Sequence, residues 1–158
     1  MVTYVKGDAT KPQGEGKKII VHIVNDMGRW GAGFVLALDK ISTRPRRRYM
    51  QDYRNRITPF MHLGTINFVW LEDNDIIVGN LVGQHGTVSR NNPHPVSYDA
   101  IEHGLNELAA FIESVEPTAT VHMPRIGCGL AQGKWDVVES IINRTLTLRD
   151  IDVTVYDL

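Results

Sequence analysis

The sequence predicts a three-layer α/β/α fold with a mixed central sheet, in a single domain spanning residues 1–158. Three observations carry this. Six short runs rich in β-branched and aromatic residues alternate with four helical runs, the pattern of a sheet covered by helices on both faces. The third and fourth strand runs are separated only by the polar turn Glu72-Asp73-Asn74-Asp75, so they read as a hairpin and the sheet is mixed rather than purely parallel. At 158 residues the chain falls within the roughly 100–200 residues of one domain.

In order, the strand runs are residues 3–5, 18–24, 65–71, 76–82, 120–123 and 153–156, each bounded by Gly, Pro, Asp or Asn. Residues 33–41 hold Phe34, Val35, Leu36, Ala37 and Leu38 and are apolar nearly all round, as for a helix buried mid-domain. Pro45 suits a first helical position, and Tyr49, Tyr53 and Ile57 then share one face at i, i+4, i+8. Ser97 can cap a helix bearing Tyr98, Ile101, Leu105, Leu108 and Ile112. Trp135, Val138, Ile142 and Thr145 stripe the last helix, with Asp136 and Glu139 near its start and Arg149 at its far end, as the helix dipole favours. The longest irregular stretch is 83–96, and a loop of that length in a compact domain is usually functional or mobile.

Composition narrows the class. An apolar fraction of 42% and a charged fraction of 22% belong to an ordinary globular chain, and a formal charge of −1 advertises no nucleic-acid or membrane partner. The one cysteine, Cys128, excludes an intramolecular disulfide and a cysteine-based zinc cage. No apolar run approaches the roughly 18 residues of a membrane span, and the N-terminus lacks the form of a signal peptide, so a cytoplasmic location is expected. His22 and His122 fall within strands and read as satisfied core or edge histidines. His62, His94 and His103 show no metal-ligand spacing, and no metal or cofactor is expected.

Two glycine loops are the informative stretches. Residues 25–34, Asn-Asp-Met-Gly-Arg-Trp-Gly-Ala-Gly-Phe, follow the second strand and open the first helix. Residues 124–135, Pro-Arg-Ile-Gly-Cys-Gly-Leu-Ala-Gln-Gly-Lys-Trp, follow the fifth strand and open the last helix. Both offer free backbone N–H groups at a helix start, with glycines that let an anion approach the main chain. Neither matches G-x-G-x-x-G, and 14–18 lacks the pattern of a P-loop. Either alone reads as a tight turn; two at equivalent strand–helix junctions could grip a diphosphate from both sides.

With residues 6–10 (Lys-Gly-Asp-Ala-Thr), 30–34, 123–130 and 153–157, the chain resembles the macrodomains, α/β/α modules that bind ADP-ribose. It is similar to the branch that holds the terminal ADP-ribose glycohydrolases and the DNA ADP-ribosyl glycohydrolase antitoxins. The resemblance covers the whole chain, and its most specific piece is Met123-Pro124-Arg125-Ile126-Gly127-Cys128-Gly129-Leu130. It implies that Asp8, with Ala9 beside it, meets adenine, with Tyr156 or Asp157 nearby. It implies that Gly31, Ala32, Gly33 and Phe34 line one side of the diphosphate. Ile126, Gly127, Cys128, Gly129 and Leu130 would line the other side, and Asn25 would hydrogen-bond the distal ribose.

The pattern also departs from those relatives, in which a lysine after the fourth strand and an aspartate in the second loop do the chemistry. Here Ala131 stands in the aspartate's place, and the lysine's place falls at Gln84-His85. Without an amine nucleophile the remaining route is direct hydrolysis at the ribose anomeric carbon, with Asn25, Gln84 or His85 positioning a water and a diphosphate oxygen of the ligand serving as base. Cys128 reads as a small residue in a crowded loop rather than a nucleophile, because no histidine partner is visible. The expected activity is an ADP-ribosyl hydrolase whose partner is an ADP-ribosylated protein or nucleic acid. The alternatives are a non-catalytic ADP-ribose reader and an ADP-ribose 1″-phosphate phosphatase. Arg44, Arg46, Arg47, Arg48, Arg54 and Arg56, against the single acid Asp52, make a basic run. It reads as a solvated helix face, or else as a phosphate-contacting patch for modified nucleic acid.

Overall fold

The computed structural model describes residues 2–158. Its strands are β1 (Val2–Lys6), β2 (Lys18–Asn25), β3 (Ile66–Trp70), β4 (Ile76–Gln84), β5 (Thr120–Met123) and β6 (Val153–Asp157). They form one sheet in the order β1-β6-β5-β2-β4-β3. All neighbouring pairs are parallel except β3 with β4, where Ile66 opposes Leu81 and Trp70 opposes Ile77 across the expected hairpin. Central β2 is buried on both faces, in keeping with an apolar run that only His22 interrupts between Lys18 and Asn25. Ile19 and Val21 join one core, while Ile20 and Val24 join two smaller clusters on the opposite face.

The larger core is covered by α3 (Tyr98–Ser114) and α4 (Trp135–Thr145), which bury Ile101, Leu105, Leu108 and Ile112 from one and Val138, Ile141 and Ile142 from the other. Ser97 caps α3 as expected, its hydroxyl accepting the Ala100 N–H at 3.2 Å. The other face carries α1 (Phe34–Asp39) and α2 (Arg44–Arg54), which contribute Leu38 and Tyr49. The layering, the mixed sheet and the β3–β4 hairpin therefore follow the pattern read from the sequence.

Three local expectations are corrected. The first helix is only six residues long and is not buried all round, since Leu36 is half exposed. The second helix ends at Arg54, before its third expected apolar anchor; Ile57 lies in the following loop, fully exposed. Arg149 sits on a separate 3-10 turn (Thr147–Arg149), and the basic residue in the last turn of α4 is Arg144. No helix among the described residues is long and apolar enough to cross a membrane.

Candidate functional site

After β2 the chain enters α1 on one face of the sheet, and after β5 it enters α4 on the other. Because β2 and β5 are neighbours, their connections diverge and a crevice opens beyond their C-terminal ends. The cleft found there has a volume of about 600 Å³. It brings together Asn25, Gly31, Ala32, Gly33 and Phe34 from the first loop, Ile126, Gly127, Gly129 and Leu130 from the second, and Gln84 from the end of β4.

Each loop is shaped by its own residues. Asn25 Oδ1 accepts the N–H groups of Met27 (3.0 Å) and Arg29 (3.1 Å), and its Nδ2 donates to the Arg29 carbonyl at 2.6 Å. Tyr49 braces the turn from α2, donating to the Asn25 carbonyl at 2.6 Å and accepting the Gly28 N–H at 3.1 Å. Asn25 is thus first an organiser of the loop, with one amide N–H left over for the cleft. Gly33 takes φ 77° at the start of α1, a conformation that a side chain would strain. A Cβ there would stand 3.5 Å from Leu130 Cδ1, so the two loops approach each other at van der Waals distance. In the second loop the Gly133 N–H donates to the Gly127 carbonyl at 2.7 Å, folding the glycine turn back on itself.

The electrostatics are one-sided. Arg29 and Arg125 line the cleft and no Asp or Glu does. The Arg29 guanidinium donates to Thr87 Oγ1 at 3.1 Å, which ties the first loop to the segment after β4. Arg125 makes a bidentate contact with Asp157 (2.7 and 3.0 Å) and lies about 5 Å from the ring centroids of Tyr4 and Trp135. Sequence reasoning missed both arginines as site residues. The available signal was that each stands two positions before a loop glycine, Arg29-Trp30-Gly31 and Arg125-Ile126-Gly127.

The remaining expected residues lie outside the cleft wall. Asp8 uses Oδ1 to accept both the N–H and the hydroxyl of Thr10 (2.9 and 2.7 Å), the turn-forming role of an aspartate. These bonds hold its carboxyl below the ordinary value. Ala9 is buried. Tyr156 belongs to the core: its hydroxyl accepts the Gln13 N–H at 2.8 Å and shares a hydrogen bond with His122 Nδ1 at 2.7 Å. Asp157 is held by Arg125. Cys128 is half-buried, and burial raises its thiol above the ordinary value, which disfavours the nucleophilic thiolate. His85 follows Gln84 but its ring leaves the cleft, with Nδ1 2.8 Å from the buried carboxylate of Asp26 and the edge of Phe60 against it.

The two strand histidines differ. His122 is satisfied on both nitrogens, by Tyr156 and by Thr120 Oγ1 at 2.7 Å. His22 is a core histidine, but only its Nε2 is satisfied, by Asn80 Oδ1 at 2.6 Å; its Nδ1 has no hydrogen-bond partner. Among the described residues no group of three or more His, Cys, Asp or Glu could hold a metal ion.

No protein-family model matches the chain. Among curated relatives it is 32% identical over 168 residues to chromodomain-helicase-DNA-binding protein 1-like of Mus musculus, and 26% identical over 158 residues to ADP-ribose glycohydrolase OARD1 of Bos taurus. Those alignments cover 98% and 99% of this chain, and 17% and 91% of the relatives. The chain thus spans only a small part, 17% and 15%, of the mouse protein and its Danio rerio counterpart. Among solved structures it is 47% identical to a protein of unknown function from Bacteroides thetaiotaomicron, with a TM-score of 0.92 and coverage of 100% of this chain and 98% of that one. The Thermosipho africanus DarTG structure in complex with ADP-ribose shares the fold alone, at 18% identity and a TM-score of 0.78 over 98% of this chain and 41% of that one. A macrodomain protein from Streptomyces coelicolor is 42% identical, with a TM-score of 0.85 and coverage of 100% of this chain and 99% of that one. An identity of that size, sustained from end to end of a macrodomain protein, makes this chain a member of the macrodomain family.

Proposed function

We propose that the cleft binds ADP-ribose with its diphosphate between the two glycine loops, and that the protein releases ADP-ribose from carboxylate side chains of a modified protein. One observation carries the proposal: two glycine loops face each other across a cleft whose wall holds Arg29, Arg125 with its Asp157 partner, and no carboxylate. Backbone N–H groups and guanidinium groups suit a diphosphate, and a carboxylate in the wall would repel it. The names of two relatives agree, one an ADP-ribose glycohydrolase and one a structure with ADP-ribose bound.

What the cleft wall lacks supports the choice of a carboxylate linkage. It contains no Asp, Glu, Lys or Cys, and its one histidine is kept neutral by burial, with a pKa lowered to about 4. Nothing there is suited to protonate a leaving group at neutral pH. An alcohol or amide leaving group needs such a proton, whereas a carboxylate, whose acid has a pKa of about 4, departs as the anion. The C1″–O bond would break with its electron pair leaving on the carboxylate. A water would then add to the oxocarbenium-like C1″ and give up a proton to a diphosphate oxygen of the ligand. Gln84 donates through Nε2 to the Gly86 carbonyl at 2.8 Å, which leaves Oε1 to orient that water. The spare N–H of Asn25 would hold the distal ribose.

A second reading, binding without turnover, is favoured by Ala131 and Gln84-His85, the places where the similar glycohydrolases would carry their aspartate and lysine. One experiment separates the two. Calorimetry with ADP-ribose is followed by release assays on glutamate-, serine-, arginine- and thymidine-linked ADP-ribose. Binding with release from the glutamate linkage alone supports the proposal, and binding without any release supports the reader. Absence of ADP-ribose binding overturns both.

A further inference from the structure

His22 lies in the middle of β2 with 1% of its surface exposed. Its protonation can be read from its neighbours. Asn80 Nδ2 donates to the Pro45 carbonyl at 3.0 Å, which turns Asn80 Oδ1 toward His22 Nε2 at 2.6 Å. An amide oxygen only accepts, so Nε2 carries the proton and Nδ1 presents a lone pair. Burial keeps the ring neutral.

That lone pair is unusual. Among the described residues, His22 Nδ1 is the one buried side-chain nitrogen or oxygen without a hydrogen-bond partner. Buried acceptors are normally paired, and an exception calls for an explanation. The location supplies one, because His22 is part of the cleft wall. Its ring is flanked by Trp30, edge to face at 5.4 Å, and by Phe34, tilted at 42° with centroids 5.8 Å apart. Trp30 is fixed through its Nε1–H to the Asp39 carboxylate. Phe34, only partly buried at the first position of the short helix α1, has no such tether and also lines the cleft. Phe34 also packs on the Ile20, Leu38, Leu71 and Val78 cluster, so a cleft occupant would reach Nδ1 by displacing the Phe34 ring from beside His22.

We infer that His22 is a specificity-determining residue of the cleft, its Nδ1 accepting a hydrogen bond from a hydroxyl or amino group on a nucleoside part of the occupant. The inference rests on the ADP-ribose reading and deepens it. The diphosphate is ruled out as partner by its chemistry, since an ionised phosphate diester has no proton to donate and its lone pairs would face that of Nδ1. The donors in ADP-ribose are the adenine amino group and the ribose hydroxyls, so His22 would read one of these while the glycine loops read the charge. A site built to accept from a particular donor discriminates against an analogue that lacks it, because the buried acceptor is then left unpaired.

Two measurements test this. The first uses the unaltered protein, labelled with ¹⁵N and followed at the His22 ring nitrogens during titration with ADP-ribose. A lone-pair nitrogen that gains a donor shifts, so the expected result is movement of the Nδ1 signal while Nε2 keeps its protonated position. An Nδ1 signal unmoved at saturation overturns the inference while leaving ADP-ribose binding intact; failure of ADP-ribose to bind overturns the functional reading itself. The second compares parent and His22→Phe for ADP-ribose, for analogues lacking each ribose hydroxyl in turn, and for the inosine analogue that lacks the amino group. The parent should bind one of these analogues about tenfold or more weaker than ADP-ribose, and His22→Phe should erase that discrimination alone. Discrimination by the parent that persists unchanged in His22→Phe overturns the inference.

Discussion

The carboxylate of Asp26 is sealed in the protein and divided between two donors: Oδ2 lies 2.8 Å from His85 Nδ1, and Oδ1 accepts the Gly86 N–H, also at 2.8 Å. This pins the turn after β4, which carries Gln84, to the end of β2, which carries Asn25. The partners are unequal, because Gly86 is buried while the His85 side chain is about half exposed. Asp26→Ala should therefore cost about 1–3 kcal/mol for the orphaned Gly86 N–H, and His85→Ala distinctly less, by urea denaturation. His85→Ala should also bind ADP-ribose like the parent, since its ring is not part of the cleft wall. A large loss of binding in His85→Ala with unchanged stability would return the histidine to the site.

The glycine loops offer one clean probe and one confounded probe. Gly127 adopts φ 75°, and a Cβ there would stand 3.0 Å from Ile101 Cδ1, so any substitution strains the loop itself. Gly31 has no atom within 4 Å of an added Cβ and no positive φ. Gly31→Glu should thus leave thermal stability unchanged while placing a negative charge beside the diphosphate. Two like charges 4 Å apart repel by about 4 kcal/mol at an effective dielectric of 20, so calorimetry should show ADP-ribose affinity reduced by about two orders of magnitude or more. Undiminished binding would mean that the diphosphate lies elsewhere.

Acid sensitivity should come from histidines held neutral. Burial lowers His22 to about 4, and burial with the nearby Lys18 charge lowers His122 to about 4, against about 6.5 in the unfolded chain. Between those values the unfolded state binds more protons than the folded one, so stability increases with pH across the window and is lost on acidification through it. The slope is up to about 1.4 kcal/mol per pH unit for each histidine. Asp8, lowered chiefly by its hydrogen bonds to Thr10, acts in the same direction only below its ordinary value of 3.8, outside the window. Urea unfolding at pH 7, 6 and 5 tests this, and equal stability at all three would contradict it.

The layers and most of the cleft were legible in the sequence because they rest on local rules. Alternation between apolar strands and striped helices is a short-range pattern, and so is a glycine loop at a strand–helix junction. Gly31 to Phe34 and Ile126 to Leu130 accordingly point to one place, and all but Cys128 line the cleft. What stayed hidden depends on partners far apart in the chain. Tyr156 reads equally as adenine neighbour or core until Gln13 and His122 are seen on its hydroxyl. The open Nδ1 of His22 exists only because Asn80, 58 residues away, takes Nε2. Ile57 kept the helical spacing of Tyr49 and Tyr53, but the helix stops at Arg54, where spacing ceases to carry information.

The basic run gives the last prediction, and the structure changes how it must be tested. Arg44, Arg46 and Arg48 face Glu72, Asp39 and Asp52 at 3.7, 3.9 and 3.1 Å, so the local charge is well below that suggested by the run alone. Arg56 folds back over the Tyr53 ring at 3.7 Å and donates to the Tyr53 and Pro59 carbonyls. Among the described residues only Arg47 and Arg54 of the six have no ion-pair or side-chain hydrogen-bond partner. Reversing Arg46 or Arg48 would break an existing pair and leave an acid facing an acid, so loss of function there would say nothing about a partner. Arg47→Glu with Arg54→Glu is the informative variant. If α2 is a solvated face, the double variant should match the parent in ADP-ribose affinity and in release from a glutamate-linked substrate. It should also leave the salt dependence of any DNA binding unaltered. If the two arginines contact phosphates, log–log plots of DNA affinity against salt should flatten by a slope of about two, with ADP-ribose binding untouched. That outcome would replace the protein carboxylate with a modified nucleic acid as the substrate's macromolecular half.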